Sequence, residues 1–172
     1  LTLFTPLDRR LYRKKIRITG KQIRDFLAQL FESQLERHNI SLQATKDFLK
    51  ASLTGYPSTF YPVFVNLADN SIFWLQRIQG QPRVIELDAE GAALLVRDNG
   101  PGVSDRDRQN IFLLNFSRKP GGRGMGLYIS RESLAKVEYT LTLDPKSRSE
   151  GAVFRISASL GSTGQEEVNG GE

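Results

Sequence analysis

The chain has 172 residues, 39% of them hydrophobic and 25% charged, and a net charge of +5, which suits one globular domain with a sizeable core. It has no cysteine and a single histidine, His38, which excludes disulfides, thiolate metal sites, cysteine nucleophiles and multi-histidine metal centres. No apolar run approaches the roughly 20 residues of a membrane-spanning helix, and the basic N-terminal stretch lacks the apolar run of a secretory signal.

The only methionine is Met125, so the sequence reads as a fragment of a longer protein. Residues 1–19 form a basic lead-in segment with Arg9, Arg10, Arg13, Lys14, Lys15 and Arg17. Few aromatics interleave with these charges, which favours a solvated edge over a nucleic-acid partner. A short strand is expected at Lys15–Thr19. Thr19 and Gln22 match a capping box. Ile23, Phe26, Leu27, Leu30, Phe31 and Leu35 then recur mostly at steps of three and four, predicting an amphipathic helix over 20–38. His38, at its C-terminal end, suits the helix dipole rather than chemistry.

Ile40–Thr45 reads as a strand. Tyr56-Pro57-Ser58 opens a second helix to about Gln79, with Pro62 acceptable only in its first turn. Arg83–Ala89 and Ala92–Asp98 flank Glu90-Gly91 and read as a hairpin. Residues 103–120 are a polar loop with room for one short helix. Leu127–Val137 is expected to be helical, and Tyr139–Leu143 and Ala152–Ser159 to be strands. The Gly-, Ser- and Glu-rich tail 161–172 is expected to be disordered. Helices mixed with a late antiparallel sheet give one α+β domain, a helical layer on a mixed sheet.

Three clusters carry chemistry. Asn66 and Asn70, at i and i+4, leave one face of the second helix, while Asp69 lies about 100° around it. An amide oxygen is a ligand that Mg²⁺ accepts beside phosphate oxygens and water, although such a pair equally bonds nearby backbone. Asp98 ends an apolar strand and is followed by Gly100 and Gly102. A carboxylate there can accept from the exocyclic amine of adenine, and glycines let a flat base approach the backbone. Gly122, Gly124 and Gly126 directly precede a helix, where bare N–H groups form an anion site. No G-x-x-x-x-G-K-[ST] occurs, and no G-x-G-x-x-G follows a strand, so neither a P-loop nor a dinucleotide fold is supported.

Together these clusters resemble the ATP-binding domain of the GHKL superfamily: histidine kinases, type II topoisomerases, mismatch-repair ATPases and large heat-shock chaperones. Asn66-Leu67-Ala68-Asp69-Asn70-Ser71 resembles its asparagine box and Asp98-Asn99-Gly100-Pro101-Gly102 its first glycine box. Ile111-Phe112-Leu113-Leu114-Asn115-Phe116 resembles its phenylalanine box and Gly122-Arg123-Gly124-Met125-Gly126-Leu127 its second glycine box. The resemblance covers roughly residues 20–160 and is nearest to the catalytic domain of histidine kinases.

It implies a two-layer α/β sandwich, with helices on one face of a mixed, mostly antiparallel sheet. ATP and Mg²⁺ would be the cofactors. Asn70 would be the Mg²⁺ ligand, Asp98 would read adenine, and Gly100 and Gly102 would border the base. Residues 103–121 would form a lid, and Gly122, Gly124, Gly126 and Leu127 would meet the nucleotide. Arg118, Lys119 and Arg123 would neutralise phosphate charge.

Several positions depart from the family pattern. Asn66, the candidate catalytic residue, stands where hydrolytic members carry a general-base glutamate, which favours the kinase-like branch. Phe73 replaces a basic residue common in kinases, with Arg77 a possible substitute. Ala152 replaces a threonine that often follows Gly151. No phosphoacceptor histidine lies in a suitable context.

The implied function is phosphoryl transfer to a histidine on another domain or chain, by a cytoplasmic, histidine-kinase-like phosphotransferase or slow ATPase. The rivals are a nucleotide-driven conformational switch within a larger protein and a degenerate domain without chemistry. The phosphoacceptor or effector domain is missing from this chain under either active reading.

Overall fold

The computed structural model describes residues 14–145, 147 and 150–160. Arg9, Arg10 and Arg13 of the basic segment, and the tail 161–172, lie outside the described residues. Lys14, Lys15 and Arg17 are exposed.

The elements run β1 (Ile16–Thr19), α1 (Gly20–Leu30), α2 (Glu32–Arg37), β2 (Ile40–Ala44), α3 (Lys46–Lys50), β3 (Ser52–Gly55), α4 (Pro57–Leu75), β4 (Arg83–Glu90), β5 (Ala93–Asp98), α5 (Gly126–Ala135), β6 (Tyr139–Leu143) and β7 (Val153–Ala158). Five strands form one sheet in the order β2-β4-β5-β7-β6, and β1 pairs with β3 in a separate ribbon. Only β2 and β4 are parallel; the other pairs of the large sheet are antiparallel. This is the mixed, mostly antiparallel sheet expected from the sequence.

Alternation along the strands sorts the two faces. Ile85, Leu87, Leu94, Val96, Leu141, Phe154 and Ile156 join the core beneath the helices, with Ile23, Leu27, Phe60, Phe64, Leu67 and Ile72 from α1 and α4. The other face carries Glu86, Asp88 and Glu90 paired with Arg97 and Arg155, including Arg97–Asp88 at 3.0 Å and Arg97–Glu90 at 2.7 Å. A charged face needs no cover, so one helical layer suffices and the sandwich has two layers.

Several local expectations are met and others corrected. Thr19 and Gln22 form the reciprocal capping box. The helix read over 20–38 breaks at Phe31, whose φ of −101° and ψ of 10° leave helical geometry. The second helix ends at Leu75 rather than near Gln79. Pro62 lies inside it, beyond the first turn, and so removes the N–H that would bond the Ser58 carbonyl. The hairpin reverses at Gly91 and Ala92, between the paired Glu90 and Ala93, with Gly91 at φ 60°. The segment 103–120 contains turns and no assigned helix. Helix α3 and strand β3 were not expected. Thr45 starts α3 by accepting from the Phe48 N–H at 3.2 Å, and Phe48 is fully buried.

Candidate functional site

Helix α4, the ends of β5 and β7, the 103–121 segment and the start of α5 enclose a cavity of about 650 Å³. Asn66, Asn70, Asp98, Gly102, Gly122, Gly124, Gly126 and Leu127 all line it. Residues spread over sixty positions are thus brought to one wall, as the order of the motifs implied. Gly100 is the exception. It is buried beside the cavity and acts on Asp98, donating its N–H to Oδ1 at 3.0 Å.

Asp98 sits at the C-terminal end of β5, on the face that carries Leu94 and Val96. Its Oδ2 accepts from the Ser71 hydroxyl at 2.7 Å, and its Oδ1 also accepts from the Ala152 N–H at 3.3 Å. Burial pushes its carboxyl above the ordinary carboxylate pKa, against the pull of the hydrogen bonds from Ser71, Gly100 and Ala152. Val103, Ile111, Leu127 and Phe154 supply apolar wall to the cavity. A carboxylate fixed by three donors in an apolar hollow can read a hydrogen-bond donor on a flat ligand.

Asn70 adds its side chain to the cavity, and no described residue hydrogen-bonds to it. Asn66 is already engaged: its Nδ2 donates to Ser130 Oγ at 2.9 Å and to the Gly126 carbonyl at 3.4 Å. It therefore ties α4 to the first turns of α5. Asp69, expected to point away, lines the cavity rim with its side chain 60% exposed.

Helix α5 begins at Gly126, and its N-cap residue, Met125, offers no side-chain hydrogen bond. Its first N–H groups are left for a ligand at the cavity wall. A β-carbon on Gly126 would meet only Asn66, at 3.8 Å, so protein packing does not require glycine there and its bareness enlarges the cavity. Gly124 differs. At φ +65° its β-carbon would fall 2.4 Å from the Phe116 carbonyl oxygen, so the loop closes only with glycine.

Three cations of the stretch before α5 reach the cavity: Arg118, Lys119 and Arg123. Arg118 pairs with Asp107 at 2.5 Å. Burial lowers the Lys119 pKa, and Asp69 raises it less. Arg77 does not line the cavity; its guanidinium lies 4.1 Å from the Phe73 ring centre. Sequence reasoning missed Ser71 and Ser130. Each bonds across the fold, to Asp98 and Asn66, and spacing carries no signal for such pairs.

Comparison with known proteins agrees with this geometry. The chain is 31% identical over 144 residues to the swarming motility regulation sensor protein RssA of Serratia marcescens, covering 80% of this chain and 29% of that protein. It is 30% identical over 122 residues to the sensor histidine kinase GacS of Pseudomonas protegens, covering 65% of this chain and 13% of that protein. The chain thus spans less than a third of either relative. The nucleotide-free catalytic domain of histidine kinase ThkA shares the fold, with a TM-score of 0.69 at 20% identity, over 83% of this chain and 95% of that one. Residues 55–162 match the model of the histidine kinase-, DNA gyrase B- and HSP90-like ATPases, and with the four motifs gathered on one cavity, the chain belongs to that family.

Proposed function

We propose that this chain is the Mg-ATP-binding catalytic domain of a cytoplasmic, histidine-kinase-like protein, transferring a phosphoryl group to a histidine on another domain or chain. One observation carries the reading: Asp98 in an apolar hollow and the uncapped start of α5 line the same cavity. The carboxylate accepts from the adenine amine, held in place by Ser71, Gly100 and Ala152. Gly102 borders the base, while Gly122, Gly124, Gly126 and Leu127 surround the phosphates. Backbone N–H groups of α5 stabilise their charge.

The residues present also fit Mg²⁺. The Asn70 side chain lines the cavity without a hydrogen-bond partner among the described residues, which suits a ligand to an ion held mostly by phosphate oxygens and water. Asn70 supplies the one neutral protein oxygen. The ion would neutralise charge on the transferring group. Asn66 cannot take a proton from water, and its amide is spent on Ser130 and Gly126, which supports transfer over hydrolysis. The similarity to GacS, a sensor histidine kinase, supports the same branch.

The test is to mix the domain, ATP labelled at its terminal phosphate and the histidine-bearing domain of the parent protein. Acid-labile label on the partner, abolished by Asn70→Ala, is the expected result. ATP-dependent assembly with no label transferred would mark a nucleotide-driven conformational switch instead.

A further inference from the structure

The cavity-facing side of α4 presents Asn66, Asp69, Asn70 and Trp74, which include an acid and no cation. Positive charge for an anionic ligand therefore has to come from the lid and the residues just after it, and the three cations there are not equivalent. Arg118 is held within the lid by Asp107, through Nε–Oδ2 at 3.1 Å and Nη2–Oδ1 at 2.5 Å. Arg123 is exposed. Lys119 alone is packed down, its side chain 22% exposed.

Its ammonium lies 4.9 Å from the centre of the Phe73 ring and 3.8 Å from Asp69 Oδ2. Asp69 and Phe73 are one helical turn apart and form one stripe of α4, directly beside Asn70. At 3.8 Å the Asp69 oxygen is beyond hydrogen-bond length, and its side chain is 60% exposed, so the pair is weak. An ammonium carries three donors. This one is partly withdrawn from water, and among the described residues it meets only a ring face and a distant carboxylate, neither a hydrogen-bond acceptor for it. Arg77 lies over the same ring at 4.1 Å, and Trp74 meets it edge-on at 5.0 Å. Both contacts hold the ring in position.

We propose that Phe73 is a docking platform that seats Lys119 beside Asn70, so that the cation meeting the outer phosphates of a nucleoside triphosphate is delivered by the lid and not by α4. The proposal rests on the ATP reading above and adds a residue pair to it. Lys119 supplies donors that a terminal phosphate satisfies, and the Phe73 ring holds the lid at the height where they meet. Lys119 is then a discriminator between nucleotides of different phosphate number, and the cation–π contact couples lid position to α4.

The test titrates ATP, ADP and AMP with Mg²⁺ into the wild-type domain, Lys119→Met, Phe73→Leu and the double variant Phe73→Lys/Lys119→Met, read by calorimetry. Lys119→Met is expected to weaken ATP roughly tenfold or more and to leave AMP unchanged, as for loss of a charged hydrogen bond. Phe73→Leu is expected to weaken ATP by about three- to tenfold. The double variant should regain part of the ATP affinity, because the cation then stands on α4. Wild type binding ATP while Lys119→Met binds it equally, or an AMP loss equal to the ATP loss, overturns the proposal alone. Unchanged ATP affinity in Phe73→Leu overturns the platform role. If the wild type binds none of the three nucleotides, the ATP reading falls and this proposal with it.

Discussion

The β-carbon that Gly151 lacks would fall 1.7 Å from the main-chain oxygen of Asp98. Gly151 also sits at φ +115°, so both space and backbone require glycine. The strand carrying Asp98 is thus pressed against the turn that precedes β7, and Ala152, the next residue, donates its N–H to the Asp98 carboxylate. Gly151→Ala is expected to destabilise the fold by more than about 2 kcal/mol through strain and clash, and to abolish ATP binding in whatever fraction remains folded. Thermal unfolding followed by calorimetric titration checks both; a variant with unchanged Tm and affinity would contradict the assignment.

Asp98→Asn separates binding from stability. The amide keeps an oxygen for Gly100 and Ala152, and the Ser71 hydroxyl can turn to accept, so the fold keeps its contacts. Because burial holds the folded-state pKa of Asp98 above its ordinary 3.8, the folded chain takes up this proton at a higher pH than the unfolded chain. Between the raised value and 3.8 the folded state binds more protons, so acidification through that window stabilises the wild type. The variant lacks this contribution. At neutral pH its Tm should equal or exceed that of wild type by about 2–4 °C, while ATP affinity is lost. Melting curves from pH 7 downward should show the difference in Tm closing as pH falls.

Slow hydrolysis follows from the amide at position 66, which cannot take a proton from water. The isolated chain should release phosphate very slowly, and Asn66→Ala should leave that rate low while costing about 1 kcal/mol of stability from the lost hydrogen bond. Brisk turnover that disappears in an Asn70 variant would contradict the transferase reading.

Trp74 is the single tryptophan of the chain and lines the cavity. Its emission should change as Mg-ATP saturates the site, and iodide quenching should fall. Both responses should vanish in Asp98→Asn. Emission indifferent to saturating ATP would place the nucleotide elsewhere.

Much of this site was legible because the residues that would touch a ligand come in short, ordered runs: Asn66 to Asn70, Asp98 to Gly102, Gly122 to Gly126. The capping box at Thr19 was equally local. What escaped was set by distance. Nothing near Ser71 marks it as a donor to Asp98, 27 positions away, and nothing near Ser130 marks it as the acceptor of the Asn66 amide. Nothing near Gly151 marks its approach to the Asp98 carbonyl, 53 positions away. The break at Phe31 and the short α3 were hidden for a related reason: tertiary burial of Phe31 and Phe48, at 6% and 0% exposure, overrides the sequence period there. Pro62 shows the converse, a helix carried through its own missing hydrogen bond by the packing of Phe60, Val63 and Phe64.

The main-chain bond from the Asn115 N–H to the Gly124 carbonyl, 3.0 Å long, closes residues 115–124 into a loop of its own. Length changes between Phe116 and Arg123 would be absorbed inside that closure, leaving the start of α5 in register with Asn66. Such changes would still cost ligand contacts, because Lys119, Gly122 and Arg123 inside the loop line the cavity.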